Sequence, residues 1–164
     1  MTTSVLLRST QDSTEPHLKL QLQEGMIVAL SMLQIQEVLV VERRRITPIP
    51  NRPNFLRGLI NQRNRVFWVA DLALLLNLSP LDWETELYNV VVLRAEQGLL
   101  GLAVQQVKGI SRFSAEQLQS PVAAVPAELT PYLRGCVLQP PEIILVLSVE
   151  TLAQSPSLQV QPYV

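Results

Sequence analysis

Leu18, Leu20 and Leu22 alternate with Lys19, Gln21 and Gln23, a period of two that marks residues 17–23 as a strand with one buried face. Glu24-Gly25 turns the chain, and Met26 to Leu30 returns it as the second strand of a hairpin. Residues 35–41 (IQEVLVV) form a further apolar strand. Residues 42–54 read as a loop: three arginines are followed by Pro48, Pro50 and Pro53, a spacing that prevents helix and favours extended backbone. Residues 55–76, FLRGLINQRNRVFWVADLALLL, carry two apolar runs, Leu59-Ile60 and Val66 to Ala70, on either side of a polar turn at 62–65. Asp71 follows the second run and is placed to accept hydrogen bonds from the first-turn N–H groups of a short helix over 72–76. The local order is therefore strand, tight turn, strand, capped helix.

The second half repeats the plan. After a turn-rich acidic connector at 79–86, Tyr88 to Arg94 forms a strand, Glu96-Gln97-Gly98 turns it, and Leu99 to Val104 returns. Val107 to Ile110 extends that apolar run, and Val104-Gln105-Gln106-Val107 echoes Ile35-Gln36-Glu37-Val38. Residues 114–118 suit a helical turn, and Pro121, Pro126 and Pro131 punctuate a second extended connector. Moved by 77 positions, 55–76 lands without a gap on 132–153, YLRGCVLQPPEIILVLSVETLA. The triplet Leu56-Arg57-Gly58 falls on Leu133-Arg134-Gly135, the turn Arg63-Asn64 on Pro140-Pro141, and Asp71 on Ser148, another cap residue. The chain thus divides into a disordered arm (1–16), a duplicated body (17–154, with copies at 17–76 and 88–153) and a tail (155–164). Short strands with closely spaced turns indicate an all-β fold of two small antiparallel barrels, and copies this small should pack against each other. Val66 to Ala70 does not alternate, so its second face is expected to be covered too, by the sister subdomain or by a partner.

Composition narrows the function classes. Of 164 residues 48% are apolar and 16% charged, enough for a large core. No uninterrupted apolar run reaches the roughly 18 residues of a membrane span, and no secretory signal is visible, so direct membrane insertion is not expected. Cys136 is the single cysteine; it excludes an internal disulfide and reads as a small core residue in a reducing, cytoplasmic setting. Net charge is −1, yet seven of the thirteen basic residues lie between Arg43 and Arg65 with no acid among them. They are either solvated loop arginines or a positive face for an anionic partner.

The usual catalytic equipment is missing. His17 is the one histidine and reads as an incidental, exposed strand residue. No Cys/His spacing suits a metal and no Gly-rich loop suits a phosphate. Asp71 and Asp82 read as a cap and a linker acid. No catalytic residue, cofactor site or metal site is expected, and the chain is read as not an enzyme. Interaction surface remains. Phe67 and Trp68 are adjacent on one strand and point to opposite faces, so one belongs to the core and the other is a candidate partner anchor.

Residues 55–76 resemble the signature of the CheW family, the coupling proteins of bacterial chemosensory arrays; Gly58, Asn61, Arg63, Asp71 and Leu72 match its pattern. Residues 35–38 resemble the family's "VQEV" strand, residues 101–107 (GLAVQQV) its "GLLVDEV", and residues 132–135 its late aromatic-x-x-Gly step, so that the likeness covers about residues 17–154. The sequence departs from the pattern at Gln62, Asn64, Trp68, Ser148 and either Gln105 or Gln106, as a divergent paralogue would, for instance one from a pilus-motility or phototaxis system. The resemblance implies two packed SH3-like five-stranded barrels, no enzymatic activity, and two partners: the cytoplasmic helical hairpin of a receptor and the regulatory domain of a CheA-type histidine kinase. It places Glu37 and Arg63 at the coupling surface; with Val38, Asn64 and Arg65 beside them in sequence, and Phe67 and Trp68 as the candidate anchors, these are the expected partner-binding residues, and Arg57, Gly58, Asn61, Asp71 and Gly135 the expected structural ones. Glu37 lies in an otherwise apolar strand and is expected to pair with Arg63. The rival reading is a small-barrel single-stranded nucleic-acid binder; it would need aromatics interleaved with the arginines, and only Phe55 and Phe67 qualify.

Overall fold

A computed structural model describes residues 13–96, 98–120 and 125–154. Its strands are β1 (Thr14–Gln23), β2 (Met26–Ser31), β3 (Ile35–Glu42), β4 (Leu56–Gln62), β5 (Arg65–Asp71), β6 (Leu87–Ala95), β7 (Gly98–Val104), β8 (Gln106–Ser114), β9 (Leu133–Gln139) and β10 (Glu142–Leu147). Two short helices, α1 (Leu72–Leu75) and α2 (Val149–Ala153), follow β5 and β10. Strand β1 begins at Thr14, three residues before its alternation becomes visible, because it pairs with β8 from that point. Pro16 is tolerated there: pairing with β2 starts only at His17. The expected arm therefore loses residues 14–16 to the barrel; residues 1–12 and the tail at 155–164 lie outside the described residues.

The strands form two five-stranded sheets, ordered β8-β1-β2-β10-β9 and β3-β6-β7-β5-β4. Each closes into an SH3-like barrel through one further bridge: Gln119 pairs with Cys136 of β9 in barrel 1, and Thr47 pairs with Leu59 of β4 in barrel 2. The two sequence copies are not the two barrels. Barrel 1 takes its first hairpin, β1–β2, from the first copy and β8, β9 and β10 from the second; barrel 2 takes β6–β7 from the second copy and β3, β4 and β5 from the first. The exchanged hairpins are joined in through parallel pairs, β2 with β10 and β7 with β5. The crossing from one barrel to the other uses only the 3-10 turn Met32–Gln34 in the first copy and Gln105 in the second.

Val107 to Ile110 is accordingly not an extension of β7 but part of β8, in the opposite barrel. The ladders set its equivalence: the extra residue opposite β6 is Gln36, and the one opposite β1 is Lys108. Ile35-Gln36-Glu37-Val38 therefore corresponds to Val107-Lys108-Gly109-Ile110, three residues beyond the echo seen in the sequence. The register of 55–76 on 132–153 holds throughout. Asp71 caps α1 by accepting from Leu74 N–H at 3.2 Å, and Ser148 caps α2 by accepting from Thr151 N–H at 3.2 Å.

Each barrel has its own apolar interior. Barrel 1 is filled by residues such as Ile27, Ala29, Phe113, Val137 and Ile144, and barrel 2 by Val41, Ile60, Phe67, Val69 and Val92. A third and larger cluster fills the seam between the barrels, with Leu18, Leu20, Leu30, Leu102 and Cys136, together with Leu72 and Leu75 of α1 and Leu152 of α2. This explains the unbroken apolar run in β5. Phe67 and Val69 point into barrel 2, while Trp68 and Ala70 point into the seam, so the sister barrel covers the second face. His17 is buried rather than exposed, because β1 is paired on both sides; its Nδ1 lies 2.9 Å from the Glu15 carbonyl and its ring 5.2 Å from that of Phe113.

Since neither copy holds a complete barrel, residues 13–78 alone should lack a cooperative unfolding transition, whereas the whole chain should unfold in one step by both circular dichroism and tryptophan fluorescence. A folded isolated first copy would contradict the exchanged topology.

Candidate partner-binding surface

Strands β4 and β5 are joined by Arg63 and Asn64, which both have left-handed backbone, at φ 53° and 65°. Two such central residues make the tight turn whose twist matches that of the strands, and Asn tolerates it better than other non-glycine residues. The turn throws the Arg63 side chain outward, where 78% of it is exposed. Glu37 lies just past the bulge in β3, with 24% of its side chain exposed, and its Oε2 meets Arg63 Nη1 at 3.5 Å. The expected pair is therefore present. An ion pair this open contributes about 0–1 kcal/mol to folding, so it shapes a surface more than it holds one together. Val38 and Val40 on β3 and Val66 on β5 are exposed, as are Asn64 and Arg65 at the turn.

Phe67 and Trp68 are not part of this surface. They are 2% and 7% exposed, since one fills barrel 2 and the other the seam, and neither can present an anchor to a partner. Arg52 stacks over the Trp68 ring, 5.7 Å from its centre.

The structural residues divide by role. Gly58 lies under the crossing chain: a Cβ there would fall 2.3 Å from the Thr47 carbonyl oxygen, and one at Gly135 would fall 2.8 Å from that of Gln119. Glycine at these two points is what lets each barrel close. Arg57 is the bulged residue before Gly58 and stacks on Trp83 at 4.3 Å, while its counterpart Arg134 reaches Glu15 at 3.8 Å. At Asn61 the group engaged is the backbone oxygen, which accepts from Arg45 Nη2 at 3.0 Å. Asp71 is fully buried and does more than cap. Its Oδ2 also accepts from Leu81 N–H at 2.8 Å and from Trp83 Nε1–H at 3.0 Å, fastening the 79–86 connector to barrel 2. Sequence reasoning missed Trp83 and Arg45, because a tryptophan in a turn-rich connector and an arginine among others carry no periodic signal.

The basic stretch is largely engaged within the molecule. Arg43 donates to the Trp83 carbonyl at 3.2 Å, Arg44 pairs with Glu42 at 2.7 Å, and Arg45 donates to Gln62 Oε1 at 2.7 Å as well as to Asn61. With Arg52 and Arg57 over tryptophans and Arg63 on Glu37, six of the seven arginines have an internal contact. That is not the open cationic strip with free aromatic faces that single strands require. Barrel 1 lacks the charged pair: Gly109 stands where barrel 2 has Glu37, and Pro140 where it has Arg63. Glu150 on α2 carries a carboxyl held below its ordinary range, first by a backbone hydrogen bond and then by the Gln34 amide and the Ser148 hydroxyl. Among the described residues no group of three or more His, Cys, Asp or Glu side chains could hold a metal ion, and no helix is long and apolar enough to cross a membrane.

The profile of the CheW-like domain matches residues 18–157. The chain belongs to the CheW-like domain family. A chemotaxis protein CheW of Thermotoga maritima is 35% identical over 80 residues, which are 49% of this chain and 52% of that protein, so the match spans about half of the relative. A CheW of Treponema pallidum is 25% identical over 136 residues, covering 81% of this chain and 79% of the relative. The fold resembles the crystal structure of the scaffolding protein TtCheW from Thermoanaerobacter tengcongensis with a TM-score of 0.73, at 19% identity, over 87% of this chain and 94% of that one.

Asp71→Ala leaves three donors without their acceptor, two of them from the connector, and should cost about 2–4 kcal/mol. Ser148→Ala removes a cap alone and should cost about 0.5–2 kcal/mol. Urea denaturation checks the order of the two effects; equal midpoints would show that the connector contacts of Asp71 add nothing.

Proposed function

We propose that this CheW-like chain is a non-enzymatic adaptor which joins the cytoplasmic helical hairpin of a receptor to the regulatory domain of a CheA-type histidine kinase. The relatives carry the names of chemotaxis and scaffolding proteins, which supports a place in a cytoplasmic sensory array controlling chemotaxis, phototaxis or pilus motility. The observation that carries the reading is the Arg63–Glu37 pair on barrel 2, with the guanidinium exposed and the carboxylate half-buried, next in sequence to the exposed Val38, Asn64 and Arg65. A guanidinium on a projecting turn suits a protein partner, because it offers directional hydrogen bonds from an exposed position. The nucleic-acid reading has no observation in its favour.

Arg63→Glu tests this directly. It removes an exposed pair of small energetic weight, so the melting temperature should stay within about 2 °C of the parent. Affinity for the kinase regulatory domain and for a receptor hairpin fragment should fall at least about tenfold, because like charges at an interface repel. Unchanged affinity for both partners in a folded variant would overturn the assignment of the surface.

A further inference from the structure

We propose that Trp83 is a positioning residue for the Arg63 turn, acting through Arg43 and Arg45. Trp83 is held from three sides: its Nε1–H donates to the buried Asp71 carboxylate at 3.0 Å, Arg57 lies over its face at 4.3 Å, and Tyr88 packs against it at 4.3 Å between ring centres. Its backbone oxygen accepts from Arg43 Nη1 at 3.2 Å, and the nearby Glu86 carbonyl accepts from Arg43 N–H at 2.8 Å. Arg43 opens the 3-10 turn Arg43–Arg45, so both ends of Arg43 are tied to the connector. The last residue of that turn, Arg45, donates to the Asn61 carbonyl at 3.0 Å and to Gln62 Oε1 at 2.7 Å. These are the two residues that precede Arg63 at the end of β4. A continuous set of contacts therefore runs from a fully buried carboxylate, through an indole and a helical turn, to the strand end that aims Arg63 at Glu37.

Among the described residues this network is seen in barrel 2 alone. Ser148 stands at the Asp71 position of barrel 1, and Ala115–Gln117 form the turn corresponding to Arg43–Arg45. The barrel without the network also has Gly109 and Pro140 in place of the charged pair. The arginine turn and the pair thus occur together, as they should if the first serves the second. Contiguous packing and hydrogen bonds of this kind transmit effects of about two- to thirtyfold in affinity between sites.

The inference rests on the proposed partner surface for its binding readout but not for its structural one. In the free protein, Trp83→Ala and Arg45→Met should each shift or broaden the Arg63 Nε–Hε resonance, and Arg45→Lys, which keeps a donor, should largely restore it. Binding of the kinase regulatory domain should weaken about three- to tenfold in both variants, and neither should weaken it further in an Arg63→Ala background. An unchanged Arg63 resonance would overturn the positioning role. So would a loss of affinity that is as large without Arg63 as with it, since that marks a general effect on the fold. If Trp83→Ala does not fold, Trp83→Phe, which keeps a ring but loses the Nε1–H donor to Asp71, takes its place beside Arg45→Met, with the same outcomes deciding. Should Arg63→Ala itself bind as the parent does, the partner surface is refuted while the resonance still tests the positioning.

Discussion

The apolar seam between the barrels is the constraint on which the rest depends. Each barrel encloses its own small interior, but the larger cluster lies outside both, where Leu18, Leu20 and Leu30 of one meet Leu102, Trp68 and Ala70 of the other. Two barrels of this size would each be marginal alone. Burying the outer face of β5 and both short helices in a common seam, and exchanging the first hairpins, makes the pair one unit. The shared seam thereby brings together two barrels that keep the same bulges, turns and caps but differ in the side chains they expose.

Much of the fold was legible in the residues. The 77-position repeat located β4, β5 and α1 and their partners β9, β10 and α2, because a bulge glycine, a turn and a cap must each occupy a set place. The unbroken run 66–70 correctly called for cover on two faces. Hairpin exchange was not legible. The alternation of β1 suits either barrel, and nothing local says which copy its edge will join. The echo of 35–38 in 104–107 misled for a similar reason, since apolar-Gln-x-Val matches more than one register and only the bulges at Gln36 and Lys108 settle it.

The surface was legible in part. Glu37 in an apolar strand and Arg63 in a polar turn pointed to each other before any geometry, and they lie 3.5 Å apart. Of Phe67 and Trp68, one is core as the alternation requires; the other, Trp68, is no anchor, because an aromatic on the outer face of a barrel strand looks like one until a second barrel covers it. His17 was misjudged because its own strand carries no sign of being paired on both edges. Asp71 was recognised as a cap, but its second oxygen serves Leu81 and Trp83, in a connector whose docking has no periodic trace.

The central claim is that the partner meets barrel 2 at the Glu37–Arg63 face. Titrating the isotopically labelled chain with a CheA-type regulatory domain and with a receptor hairpin fragment, followed by NMR, tests it most directly. The account predicts amide shifts at Glu37, Val38, Arg63, Asn64 and Arg65 with at least one of the two partners. Binding by both partners that leaves all five residues unperturbed, or no binding by either, would contradict it.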